Sequence, residues 1–149
     1  MFADVELQHH DRPRHLKALG LELQREGKKL RFPQPCSCFD AGLCRIYADR
    51  PVSCRAFECR LLQSAQRGEI SAGAALKAIT KVKGQVGVVR DLVRQLGQED
   101  ERVPLSKRCA MIMAQPIDLA AEDATVELRS QLMLAGYELM QTLRRDFIA

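Results

Sequence analysis

The apolar positions of this chain follow two periods, and one stretch follows neither. Phe2–Leu7 alternates apolar and polar side chains, the period of a short strand. Arg14–Glu26 carries Leu16, Leu19, Leu21 and Leu23 ahead of Gly27, which predicts a helix ended by glycine. Leu30–Phe32 reads as a second strand before the break at Pro33 and Pro35. Between Cys36 and Cys59 no period holds, so turns with little regular structure are expected. Glu58–Arg67 begins a helix with Gly68 as its stop.

The second half is helical in pattern. After Ser71, Leu76, Ile79, Val82, Val86, Val89, Val93 and Leu96 recur three or four apart, the stripe of a long helix. Gly84 and Gly87 lie inside it, each costing about 1 kcal/mol against alanine. They mark a close helix approach, a kink or a break. Polar Gln98–Arg102 and Pro104 lead to a short helix, Leu105–Ala114, containing Cys109. Glu122–Phe147 forms the last helix, with Leu128, Leu132, Ala135, Leu139 and Leu143 on one face, widened by Met133, Tyr137 and Met140. The pattern predicts a mainly α protein with a small β element, its irregular cysteine-rich segment packed on a helical hairpin. Its 149 residues suit a single domain.

Composition changes this picture little. Hydrophobic residues make up 46% and charged residues 28%, which excludes disorder along the whole chain. The apolar runs fall far short of the ~18 residues that cross a bilayer. The N-terminal segment lacks the basic and apolar regions of a secretory signal. A cytoplasmic location is expected. Charge is uneven: residues 60–97 carry seven basic and two acidic side chains, whereas residues 98–149 carry six and nine. The basic stretch pairs with the acidic last helix or meets phosphate. Nucleic acid is not the expected partner, because no aromatic interleaves with Lys77, Lys81, Lys83, Arg90 and Arg94 to stack bases. Helices 72–97 and 122–147 pack on each other or on a protein partner, in a monomer or a homodimer.

The cysteines carry the chemistry. Five of the six, Cys36, Cys38, Cys44, Cys54 and Cys59, lie within 24 residues. In a reducing compartment such a cluster points to metal ligation or catalysis rather than disulfides. Soft thiolates select zinc or iron–sulfur clusters. Arg45, Arg50, Arg55 and Arg60 recur at five-residue intervals among them. Guanidinium groups beside the sulfurs would lower thiol pKa values and offset an anionic site; four surface arginines are the plain alternative. The spacing matches no zinc finger, having neither a C-x₂-C nor an H-x₃₋₅-H pair. His9, His10 and His15 are the only histidines; they read as exposed or capping side chains, with a metal role for His10 or His15 as the alternative. A Gly-rich phosphate loop, G-x-S-x-G and H-E-x-x-H are all missing.

The stretch CSCFDAGLCRIYADRPVSCRAFECRLL, Cys36 to Leu62, resembles the YkgJ-type cysteine-cluster family, described as zinc- or iron-chelating. The likeness rests on Cys36, on Cys44-Arg45-Ile46-Tyr47-Ala48-Asp49-Arg50-Pro51 and on Cys54-Arg55-Ala56-Phe57. It reaches back to about residue 3; residues 63–149 look like a family-variable helical extension. The family's N-terminal CxxCxxCC cluster is not in this chain, which fits either a reduced ligand set or a start upstream of Met1. The resemblance implies metal ligation by Cys36, Cys44 and Cys54, with Cys59 the best fourth ligand and Cys38 the spare, facing the core. Pro51 would hold Arg50 extended and turn Cys44 and Cys54 towards one centre. Tyr47 and Phe57 would cover the site or pack in the core. Zinc is the favoured cofactor, iron or an iron–sulfur cluster the alternative. Flagellin lysine methylating proteins look like distant relatives, which makes a redox or protein-modifying enzyme the second reading. A helical partner-binding module stapled by structural zinc is the third.

Overall fold

A computed structural model describes residues 4–116 and 123–148. The chain is mainly helical with small antiparallel sheets, and it divides into two compact units. One comprises Met1–Phe57 with Asp100–Lys107, the other Glu58–Glu99 with Arg108–Ala149.

The first unit is built on a three-stranded antiparallel sheet, ordered β1 (Asp4–Glu6), β3 (Lys29–Pro33), β2 (Gln24–Glu26). The predicted first strand is present from Asp4 to Glu6 and stops before Leu7; Phe2 and Ala3 lie outside the described residues. Val5 stands opposite Phe32, and Arg25 opposite Leu30. Charge fixes the same register. Lys29 of the central strand pairs with Glu6 at 2.8 Å, while Arg31 reaches Asp4 at 2.7 Å and Glu26 at 3.2 Å. Cross-strand pairs of opposite charge contribute roughly 0.2–1 kcal/mol each.

The helix expected over Arg14–Glu26 is much shorter. Helix α1 spans Pro13–Ala18, and the chain then turns into β2. Gly20, at φ +94°, ends it. The Gly20 amide donates to the Lys17 carbonyl and the Leu21 amide to the Leu16 carbonyl, each at 3.0 Å. These paired bonds close the last carbonyls of a helix around a left-handed residue, which glycine adopts without steric cost. Leu16 and Leu21 are thereby both buried, in a core with Phe32, Cys38 and Ile46.

The second unit is helical: α3 (Arg60–Gln66), α4 (Ala72–Gln95), α6 (Asp123–Asp146) and most of α5 (Leu105–Ala114). The Ser71 hydroxyl caps α4 by accepting the Ala74 amide at 3.1 Å. Helix α4 runs unbroken through Gly84 and Gly87, and nothing lies within 4 Å of a Cβ built at either. They mark neither a break nor a close approach. Helices α4 and α6 pack on each other, burying Val89, Leu92 and Val93 from one and Leu132, Leu139 and Leu143 from the other. Lys81, on α4, acts electrostatically on Asp146 at the end of α6. The face of α6 is narrower than its sequence suggested. Met133, Tyr137 and Met140 are exposed, and Thr142 is buried instead. Among the described residues no helix is long and apolar enough to cross a membrane.

Candidate metal centre

The cysteine segment is more regular than its sequence suggested. Strands β4 (Phe39–Asp40) and β5 (Leu43–Cys44) form a hairpin, with Phe39 opposite Cys44. Its two-residue turn, Ala41-Gly42, has positive φ at both positions, 45° and 85°. That backbone matches the twist of adjoining strands. A 3₁₀ turn, Tyr47–Asp49, and a short helix α2, Val52–Ala56, complete the segment. Hydrophobic periodicity does not reveal elements this short; Asp40-Ala41-Gly42 was the one local signal for the hairpin.

The segment is tied to the sheet and to α1 by polar contacts. The Ser37 hydroxyl accepts from the Glu22 amide at 2.9 Å and donates to the Gly20 carbonyl at 3.0 Å. Asp11 accepts the Val52 amide at 2.8 Å, and the Ser53 hydroxyl donates to the Glu6 carbonyl at 3.0 Å. Arg50 is extended at φ −52°, ψ 141°, as the following Pro51 demands. Pro51 itself is buried. Together these contacts carry α2, and Cys54 with it, back onto the sheet.

Cys36, Cys44 and Cys54 all pack, half-buried, against the core that contains Leu16, Leu21, Phe32 and Ile46. Cys38 lies inside that core at 0% exposure, its sulfur 3.9 Å from the Leu19 carbonyl oxygen. The expectation that Cys38 faces the core is met. The turn from Cys36 to Phe39, closed by a 2.9 Å bond between the Phe39 amide and the Cys36 carbonyl, brings the Cys38 amide to the Cys36 sulfur.

The three half-buried thiols are electrostatic neighbours. Burial pushes the Cys36 thiol up, and Cys38 and Cys44 add to the rise. Burial also pushes the Cys54 thiol up; Cys36 and Cys44 raise it further, against the opposing charge of Arg50. Cys44 thus makes the thiolates of Cys36 and Cys54 harder to form, and Cys36 does the same to Cys54, a conflict that a cation would relieve. Among the described residues, no group of three or more His, Cys, Asp or Glu side chains is placed so that it could hold a metal ion. The arrangement is thus a set of adjacent soft donors rather than a finished coordination sphere. Their chemistry suits zinc or iron.

Cys59 belongs to the second unit, half-buried at the N-terminal end of α3. Cys109, on α5, is half-buried in the same unit, and burial raises its thiol. The four evenly spaced arginines have separate roles. Arg45 donates to the Ser37 carbonyl at 2.8 Å. Arg50 lies over the Tyr47 ring, 3.7 Å from its centroid, and acts on Cys54. Arg55 lines a cavity, and Arg60 donates to the Arg145 carbonyl in the last turn of α6 at 3.3 Å. Tyr47 and Phe57 are not core residues: they are 65% and 58% exposed.

Sequence reasoning passed over Asp11 and Ser37, which hold the segment in place. An acid two residues before Pro13 and a serine between two cysteines give no periodic signal. Compared with protein-family models, curated proteins and solved structures, the chain has no match.

Proposed function

We propose that this chain is a cysteine-cluster protein that chelates zinc or iron through Cys36, Cys44 and Cys54. The observation that carries the reading is the shared neighbourhood of these three thiols, half-buried around one small core, with Cys44 helping to raise the thiols of Cys36 and Cys54. The resemblance of Cys36–Leu62 to the YkgJ-type family supports it. Cys59 is the family-implied fourth ligand and Cys38 the alternative. Zinc is favoured because it is satisfied by four ligands from a short segment, and structural zinc contributes folding energy directly. The reading includes the finer expectation that the cysteine segment is seated on the helical pair. A metal bound here would neutralise the thiolates and order the segment; this chain's own part is to supply the sulfurs, the Cys38 amide beside Cys36 and the Arg50 charge beside Cys54.

Metal analysis by mass spectrometry on protein purified without oxygen tests this. About one equivalent of zinc or iron per chain is expected, and lost when Cys44 and Cys54 are both replaced by serine. Folded protein with less than about half an equivalent of any metal, and freely reactive thiols, defeats the reading.

A second reading has one observation in its favour. Helix α6 exposes Met133, Leu134 and Tyr137, and α4 exposes Leu76 and Val88. Exposed apolar side chains of this size suit a protein partner, with the metal as a structural staple. Sedimentation across a concentration series, with Leu134→Lys as control, distinguishes self-association from a monomer.

A further inference from the structure

Beside the cysteine segment, within the first unit, lies a cavity of about 150 Å³. It is lined by Arg12, Arg50 and Arg55, by His10 and His15, and by Asp11 and Asp49. None of these residues serves the metal reading as a ligand. The cavity lies below the ~300 Å³ at which drug-sized ligands are accommodated, so its occupant is a small ion or one group of a larger molecule.

The polar groups of the cavity differ in what they have left to give. Both oxygens of Asp11 are engaged, Oδ2 by the Gln8 amide at 2.7 Å and Oδ1 by the Val52 amide at 2.8 Å. Asp49 Oδ1 lies 3.0 Å from His15 Nε2. Asp11 is thus fully committed to its neighbours, and Asp49 is committed through one oxygen. The arginines are not. Arg50 uses Nε on the Tyr47 carbonyl and its flat face on the Tyr47 ring, which leaves its terminal nitrogens without a hydrogen bond among the described residues and the group fixed in direction. Among the described residues, neither Arg12 nor Arg55 engages its guanidinium in an ion pair or a hydrogen bond. Three arginines therefore line one small space with guanidinium donors still available, on segments that the Asp11–Val52 bond holds together.

We propose that this cavity binds a phosphate dianion, free or as the monoester of a small molecule, through Arg12, Arg50 and Arg55. Guanidinium forks match phosphate oxygens in pairs, and such charge-assisted bonds are roughly twice as strong as neutral ones. A tetrahedral dianion has enough oxygens for three forks, whereas a carboxylate has two. The stacking of Arg50 on Tyr47 orients one fork before the ligand arrives, which lowers the ordering cost of binding.

The test is calorimetric titration of the full chain with inorganic phosphate and, in a separate arm, with glycerol phosphate, at constant ionic strength set by chloride. Saturable binding of at least one of the two is expected, and which binds tighter tells free phosphate from a monoester. Replacing Arg12 and Arg55 together by glutamine should weaken it at least tenfold, whereas Arg25→Gln, on β2 outside the cavity, should leave it unchanged. Should the double variant fail to fold, Arg55→Lys serves in its place: it keeps the charge, loses the fork and should weaken binding several-fold. Metal content measured on the same samples shows whether any loss of binding arises at the cysteines instead. No heat beyond the chloride blank, or a folded R12Q/R55Q protein that binds as the parent does, overturns the proposal.

Discussion

Asp11 accepts the backbone amide of Val52 across 41 positions of sequence, at 2.8 Å. The same carboxylate accepts the Gln8 amide, so one side chain fixes the turn after β1 and the start of the helix that carries Cys54. Hydrogen bonds to a charged acceptor contribute about 1.5–3 kcal/mol. Asp11→Ala should therefore destabilise the first unit by roughly that amount, and Asp11→Asn, which keeps an acceptor, by less. Urea unfolding gives the answer; equal stability of D11A and parent would show that the bond holds nothing.

Cys38 and Cys54 should separate packing from ligation. A buried free cysteine behaves as a small hydrophobe. Cys38→Ala should cost on the order of 1 kcal/mol, as removal of a small buried group does, and retain the metal. Cys54→Ala should lose the metal. Metal content and melting temperature of the two variants decide, and loss of metal from C38A as complete as from C54A would make Cys38 a ligand.

On α6, two leucines two positions apart should respond oppositely. Leu132 is 2% exposed and Leu134 is 68% exposed. Leu132→Ala is expected to cost about 2–5 kcal/mol, Leu134→Ala no more than about 0.5 kcal/mol. Denaturant titration of each measures the difference, and similar losses would contradict the burial pattern of this helix.

The thiols give stability a pH dependence whose sign is set by their environment. Burial raises Cys36 and Cys54 in the folded chain. The folded state then holds these protons more tightly than the unfolded state, so the metal-free protein is favoured below the unfolded thiol pKa of about 8.5 and loses stability as pH rises above it. Metal binding inverts this, because ligation displaces the protons and strengthens with pH. Melting temperatures of chelated protein at neutral and alkaline pH should fall as pH rises, and fall less in C36A/C54A. A rise for the chelated parent would refute the assignment.

What the sequence disclosed follows from the length over which each signal repeats. Helices α4 and α6 each run 24 residues, and a stripe repeated across so many turns outweighs Gly84 and Gly87. Gly68 was legible as a stop because it follows the last position of its helix. Gly20 was not, since Leu19, Leu21 and Leu23 continue the apolar pattern past it. Those leucines were apolar for a different reason: Leu21 is buried in the core of the sheet unit, whereas Leu19 is on the surface. The width of the α6 face was over-read because the number of neighbours available to cover Met133 and Tyr137 is a tertiary property. The candidate site was legible as a cluster of sulfurs, yet the division between Cys38 in the core and the half-buried thiols beside it depends on a turn only four residues long. The arginine cavity was invisible, as Arg12 and Arg55 meet only once the chain has folded.

The first unit is discontinuous, with Asp100–Lys107 completing what Met1–Phe57 begins. During synthesis the ribosome therefore releases Cys36, Cys38, Cys44 and Cys54 long before their unit has its last strip of chain. A fragment ended at Phe57 would therefore keep Cys36, Cys38, Cys44 and Cys54 while lacking Asp100–Lys107, the strip that completes their unit.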